Sequence, residues 1–417
     1  MLVRDLLQSL DRQRRVLQAS VILTPVDNEP LELVLRSRAA FLHGLYATDK
    51  QHRAQDLQDA VILTAGRKRA TRDLGRIYGL LAERLGGTAA SMRLLSGLHA
   101  HTVVLMSLAQ MGDRVMMLPE RAGGHFSVAG IAQRLGLKVC FAACDNARMM
   151  IDRTATLAAV KKYRPAIILV DRSEGLKYED FEFLGQLSGP LKIFDSSQYL
   201  PQIICGAYAN PFDWGFDLQV FSLHKSFPGP QKAGVVARAC GPAWERCLRG
   251  LGSYVSSHHV ESAYMAGFAL ADLTALTEYV SRMLRCVKVL EATLAGGGTP
   301  VVRAASQGVG NWPRTQHIWI KLGEQRRALE VWRALGRCRI QTNYRLLPYQ
   351  QGWGLRLGVA HAVTRGLNED VAAQLGAIIA RVAQYGPSLD MRHRVRGIAE
   401  ALRPLTISQQ ETCTHGK

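Results

Sequence analysis

Leu218-Gln219-Val220-Phe221-Ser222-Leu223-His224-Lys225-Ser226-Phe227-Pro228-Gly229-Pro230 is the stretch on which the fold turns. Its first five residues make an apolar run of strand length, and the remainder is a turn that carries a lysine into Pro-Gly-Pro. Similar apolar runs lie upstream at 114–118, 137–141, 166–170 and 191–195, with helical spacing at 101–111, 127–135 and 154–163 between them. Short buried strands alternating with helices are the mark of a mostly parallel sheet covered on both faces. Such sheets bind ligands beyond the C-terminal ends of their strands, where Lys225 stands. Desolvation there lowers an ammonium pKa, as an imine-forming amine requires. The plain alternative is a surface lysine before a turn.

Downstream, helical spacing runs from 259 to 294 and ends at the hinge Gly296-Gly297-Gly298. A strand over 317–322, a helix over 324–335 and a helix over 368–384 follow, so a smaller α+β unit is expected. The expected organisation is an N-terminal helical arm at 1–35, a large α/β domain at 36–295 and a small α+β domain at 296–417. The final residues, TISQQETCTHGK, read as a frayed polar tail.

Composition excludes several classes. Of 417 residues, 47% are hydrophobic and 21% charged, which rules out a disordered or collagen-like chain. No apolar run approaches the ~20 residues of a membrane-spanning helix. The N-terminal MLVRDLLQSLDRQRRVLQAS interleaves leucine with charge and reads as an amphipathic helix, not a signal peptide, so a cytoplasmic address is expected. Eight cysteines without a CxxC or zinc spacing point to reduced thiols and no metal site. The net charge of +18 raises a nucleic-acid partner. The positive residues are scattered, however, and the densest run, Arg67–Arg72, has helical spacing. An arginine-rich solvated surface is the expected reading.

Three further elements point to chemistry. Asp195 ends the run Leu191-Lys192-Ile193-Phe194-Asp195, where a buried acid costs several kcal/mol unless it is paired. A protonated ring nitrogen, as in pyridoxal phosphate, is such a partner; capping the turn through Ser196 and Ser197 is the other reading. Ser96-Gly97-Leu98-His99 precedes an apolar helix and offers N–H groups to a phosphate. Gly123-Gly124-His125-Phe126-Ser127 opens the next helix, and His125 could lie flat on a ring or be structural.

Taken in order, Ser96-Gly97, Gly123-Gly124-His125, Ser173, Asp195, His224-Lys225 and Arg356 resemble serine hydroxymethyltransferase and its relatives, the fold-type-I pyridoxal phosphate enzymes. Gly354-Leu355-Arg356-Leu357-Gly358 with Thr364-Arg365-Gly366 looks like that family's distal Gly-x-Arg-x-Gly stretch. The likeness runs from about residue 32 to 385. It implies an aspartate aminotransferase-like α/β fold, pyridoxal 5'-phosphate as cofactor, and a homodimer with shared active sites. Lys225 would join the cofactor covalently, Asp195 would pair with its ring nitrogen, and His125 would stack on the ring. Ser173 and Gln198 would lie beside the ring. Gly97, Leu98, Ser222 and His224 would surround the phosphate, with Ser257 reaching a neighbour's. Arg356 would hold the substrate carboxylate, with Tyr46, the family's cross-dimer tyrosine, and Thr48 also at the substrate.

The departures bear on the reaction. The hydroxymethyltransferases carry a glutamate two residues after the tyrosine for folate-dependent transfer, and here that position is Thr48. Ser196-Ser197-Gln198 replaces Met-Ala-His, Gln231-Lys232-Ala233-Gly234 replaces Arg-Gly-Gly, and Ser256-Ser257 replaces paired glycines. Phe126 and the Pro-Gly-Pro-Gln-Lys run look like the L-threonine transaldolases of antibiotic and modified-amino-acid pathways. The resemblance then implies retro-aldol release of acetaldehyde from threonine and transfer of the glycyl unit to another aldehyde, a nucleoside aldehyde among the candidates. The alternatives are a folate-dependent serine/glycine hydroxymethyltransferase and a non-catalytic relative that binds RNA or a partner protein.

Overall fold

The computed structural model describes residues 2–47, 64–303 and 313–404. Thr48 and the tail from 405 onward lie outside them. The strands, in chain order, are β1 Val21–Ile22, β2 Ala89–Ser91, β3 Arg114–Met117, β4 Lys138–Phe141, β5 Cys144–Asp145, β6 Met150–Ile151, β7 Ile167–Asp171, β8 Leu191–Asp195, β9 Leu218–Ser222, β10 Ala233–Ala237, β11 His317–Gly323, β12 Ile340–Gln341, β13 Asn343–Leu347 and β14 Gly352–Gly358.

Seven of them form the main sheet, in the order β2-β10-β9-β8-β7-β3-β4. The five from β9 to β4 are parallel, while β10 runs antiparallel to both β9 and β2. The near-continuous apolar runs follow from burial on both faces. Val115, Ile167, Leu169, Ile193, Leu218 and Val220 point into one core with helix Gly97–Leu108. Met116, Ile168, Val170, Phe194 and Phe221 point into the other, which is continuous with the core beneath β11, β14 and β13.

The sheet matches the sequence-based reading, with adjustments. Helix Gly97–Leu108 starts four residues before the expected 101, because Ser96 caps it by accepting from the His99 N–H at 3.2 Å. The helical stretch expected at 259–294 is two helices, Val260–Ala271 and Leu273–Gly296. Asp272 breaks it by turning its carboxylate to the Ala275 N–H at 2.9 Å. A further helix, Leu389–Ala401, is too polar to stand out in the sequence; its buried side chains are Met391, Val395 and Ala399, one per turn. Helix Leu2–Gln18 is amphipathic as expected, yet buries none of its residues in the single chain.

Candidate active site

The C-terminal ends of β7, β8 and β9 bring the chemistry together. Asp171 and Asp195 are direct partners across β7 and β8, and Asp195 is opposite Val220 on β9. Lys225 follows β9 by three residues, in the loop that returns as β10. That loop is fastened on several sides. Leu223 N–H donates to Lys232 O at 2.8 Å and Gly229 N–H to Leu223 O at 3.0 Å. The Ser226 hydroxyl donates to Ser197 O at 3.1 Å, and Tyr279 OH donates to Ser226 O at 2.7 Å. The lysine is therefore held close to the two acids, and its charge acts on Asp195, Asp171, His101 and His125 together.

Asp195 is buried, with both oxygens engaged. Oδ1 accepts from Ser197 N–H at 2.7 Å, so the capping reading holds as well, and Oδ2 faces His101 Nε2 at 2.7 Å. Burial alone would push this carboxyl up; the His101 hydrogen bond and charge, with Lys225, hold it well below the usual range. His101, equally buried, is raised in turn because Asp195 outweighs its desolvation. Asp171 is pushed up to about 6 by burial and by the Asp195 charge. Its Oδ1 accepts from Ser173 Oγ at 2.9 Å, while its Oδ2 is buried without a hydrogen-bond partner among the described residues. The result is one carboxylate held firmly ionised beside a second that titrates near neutrality.

Beyond the end of β9 two hydroxyls meet. The Ser197 hydroxyl accepts from Ser222 N–H at 2.9 Å and lies 3.3 Å from Ser222 Oγ. A side chain at Gly97 would put its Cβ 2.5 Å from Ser222 Oγ. The first N–H groups of a helix lack partners within it, so the opening turn at Gly97 and Leu98 is suited to an anion. Two basic groups border this region: His224, whose pKa is lowered by burial and by Lys225, and Lys232, buried and lowered to about 7 by desolvation and by Arg93. Lys232 Nζ donates to Arg93 O at 3.4 Å, and no carboxylate pairs with it among the described residues.

His125 is lowered to about 4 by burial, then by Lys225 and His101, and is neutral near pH 7. Its Nδ1 accepts from Ser127 N–H at 3.2 Å, so the proton of the neutral ring resides on Nε2. One face stacks on Phe126, with centroids 4.8 Å apart. The turn that carries it needs its glycines: Gly123 has φ +87°, and a Cβ there would lie 2.0 Å from Glu174 O.

Gln198 Oε1 accepts from Gln316 Nε2 at 3.2 Å and lies 3.3 Å from His317 Nε2. Arg356, on β14, is buried, donates to Asn343 Oδ1 at 3.1 Å and lies 3.3 Å from Glu174 Oε1. Tyr46 and Ser257 are neighbours on a separate ledge, where Ala47 N–H donates to Ser257 Oγ at 3.4 Å and His258 N–H to Ala47 O at 3.3 Å. Tyr46 is 41% exposed there.

Sequence reasoning missed His101, Asp171, Glu174, Arg345 and Lys232 as site residues. His101 reads as one position of an apolar helix, and Asp171 directly follows the run 166–170 as Asp195 ends its own, a parallel that could have been noticed. The assembled residues fit pyridoxal phosphate on two structural counts: an anionic Asp195 facing the Lys225 charge, and beside them the Asp171 Oδ2, buried without a hydrogen-bond partner among the described residues.

No family model matches the chain. Over 342 residues it is 26% identical to an L-threonine:uridine-5'-aldehyde transaldolase of a Streptomyces species, covering 79% of each chain. Over 336 residues it is 25% identical to a serine hydroxymethyltransferase of Pyrobaculum calidifontis, covering 76% of this chain and 77% of that one. A 219-residue stretch is 31% identical to the fluorothreonine transaldolase of Streptantibioticus cattleyicolor, covering 52% of this chain and 34% of that one. Among solved structures, L-threonine transaldolase from Pseudomonas fluorescens, in its internal aldimine state, superposes with a TM-score of 0.86 at 20% identity, over 96% of this chain and 92% of that chain. The fold is that of the fold-type-I pyridoxal phosphate enzymes. The chain is similar to serine hydroxymethyltransferases and threonine transaldolases alike.

Proposed function

We propose, from the premise of a pyridoxal phosphate enzyme related to these two groups, that the chain is a folate-independent L-threonine transaldolase. It would take threonine, release acetaldehyde and deliver the glycyl unit to a second aldehyde, giving a β-hydroxy-α-amino acid. The observation that carries this reading is Thr48, two residues after Tyr46, where the folate-using enzymes have a glutamate. Relatives named for threonine transaldolation support it, one of them named for a uridine-5'-aldehyde acceptor, and a role in specialised biosynthesis with a nucleoside aldehyde as acceptor belongs to the same proposal.

The bound cofactor supplies an electron sink for the carbanion left when the Cα–Cβ bond of a β-hydroxy amino acid breaks. The chain does the rest. Lys225 supplies the amine that anchors the cofactor. Asp195, kept ionised by His101, holds a proton on the ring nitrogen. Ser173 and Gln198 flank the ring. Gly97, Leu98, Ser222 and His224 seat the phosphate, and Ser257 reaches that of a partner subunit. Arg356 would grip the substrate carboxylate and so fix the orientation of the substrate about Cα. His125 would donate its Nε2–H to the aldehyde oxygen and stabilise the charge that develops there, the hydroxyl proton passing to and from solvent. Tyr46 lies beside Ser257 on one ledge, as a shared site in a homodimer requires, and the uncovered apolar stripe of helix Leu2–Gln18 also suits a dimer.

The test is to incubate pure holoenzyme with L-threonine and a panel of aldehydes without folate. Acetaldehyde release coupled to a new β-hydroxy amino acid is expected. A protein that converts serine to glycine only with tetrahydrofolate would instead be a hydroxymethyltransferase, the reading that the similarity to enzymes of that name favours. A visible band lost with borohydride in the native chain and absent from Lys225→Ala checks the anchoring amine.

A further inference from the structure

The geometry points to Arg345 as a positioning residue. We propose that it shares the Glu174 carboxylate with Arg356, so that the cluster keeps one net positive charge for the carboxylate of an amino-acid substrate. This rests on the reading of Arg356 as the carboxylate fork and adds two residues to it.

Arg356 and Arg345 share one face of a hairpin. On β13 and β14, Asn343 is opposite Arg356 and Arg345 is opposite Gly354, so the two arginines are diagonal neighbours. Glu174, from the loop after β7, projects between them. Its Oε1 forms an ion pair with Arg345 Nη1 and lies 3.3 Å from Arg356 Nη1, while Asn343 takes Arg356 Nη2 at 3.1 Å. Glu174 is 2% exposed, and its Oε2 and Arg356 Nε are both buried without a hydrogen-bond partner among the described residues. Glu174 is fastened through its backbone, its N–H donating to Gly123 O at 3.0 Å. Its side chain therefore has little choice but to stay among the arginines.

Charge decides what this arrangement does. Two guanidiniums against one buried carboxylate leave a single positive charge, which one incoming carboxylate neutralises. Without Arg345, Glu174 and Arg356 would form a closed neutral pair. A substrate carboxylate would then have to displace Glu174 and would meet a like charge in a poorly screened site. The other ionisable neighbours do not change this count: Glu120, 3.7 Å from Arg345, has a side chain 60% exposed, and His317 is neutral.

The experiment measures glycine binding to the holoenzyme by calorimetry, with glycinamide as a probe lacking the carboxylate. Arg345→Gln should weaken glycine at least ~10-fold and leave glycinamide within about twofold, and Arg345→Lys, which keeps the charge, should retain most of the affinity. The decisive variant is Glu174→Gln combined with Arg345→Gln, expected to return glycine affinity to within about threefold of the parent. Near-ultraviolet circular dichroism identifies any variant that has not folded. The inference is overturned if Arg345→Gln binds glycine normally, or if the double variant is no better than the single one. Arg356→Gln separates the two levels. If it binds glycine normally, the fork reading itself fails; if it loses glycine while Arg345→Gln does not, only the role of Arg345 falls.

Discussion

His101 Nε2 is 2.7 Å from Asp195 Oδ2, with both side chains closed off from solvent, so the acid proposed for the cofactor ring nitrogen has a hydrogen-bonding imidazole of its own behind it. Such a charge-assisted hydrogen bond is worth roughly 1.5–3 kcal/mol. His101→Gln should therefore weaken pyridoxal phosphate binding about 10- to 100-fold, read by equilibrium dialysis of the apoprotein. Unchanged affinity would show that Asp195 needs no such support.

Gly97→Ala tests the phosphate seat. The added Cβ would meet Ser222 Oγ, the end of a small side chain, at 2.5 Å. Alanine is also the better helix former, by about 1 kcal/mol. The apoprotein should lose little or no thermal stability, while affinity for pyridoxal phosphate drops at least ~10-fold. Equal effects on apo and holo stability would place the phosphate elsewhere.

Gly123→Ala should behave differently. There the Cβ would run into the backbone oxygen of Glu174 at 2.0 Å, from a residue at φ +87°. The left-handed conformation alone costs about 1–2 kcal/mol for a residue with a side chain. Urea unfolding should show at least that loss in the apoprotein as well as the holoprotein.

Lys232 gives a pH signature. Burial and Arg93 lower it to about 7, against 10.5 when free. Between those values the unfolded chain keeps a proton that the folded chain has shed, so this group makes stability rise with pH from 7 towards 10 and fall as pH drops towards 7. Lys232→Met should flatten that rise in the apoprotein, seen as urea midpoints closer together at pH 7 and pH 9. An unchanged slope would mean that the lysine stays charged.

His317 works at the acid end. Burial first and Arg356 next push it down to about 3, so the folded chain keeps it neutral while the unfolded chain protonates near 6.5. Its contribution is present above 6.5 and is lost as pH falls towards 3. His317→Gln should reduce the stability lost between pH 6.5 and pH 4.5, measured by chemical denaturation at the two values.

Strands β8 and β9 were legible to the residue, because a strand buried on both faces must be apolar throughout and its polar ends mark its limits. The break at Asp272 was not, since apolar spacing continues on both sides and a single side-chain cap decides it. Asp195 and Lys225 were legible because each ends or follows an apolar run. Glu174 and Arg345 were not: one is in a loop after β7 and the other on an outer strand of a separate sheet, and neither has a local pattern that names the other.

By itself, the amino-acid order determined the alternation of strand and helix, hence the sheet and the edge at which Lys225 and Asp195 emerge, because burial and periodicity are properties of neighbours along the chain. Only the tertiary structure decided the electrostatics of that edge: which histidine stands behind Asp195, which acid is placed between two arginines, and which lysine is buried beside Arg93. Coulomb interactions and desolvation depend on distance through space and on exclusion of water, and both are set only once segments far apart in the chain have packed together.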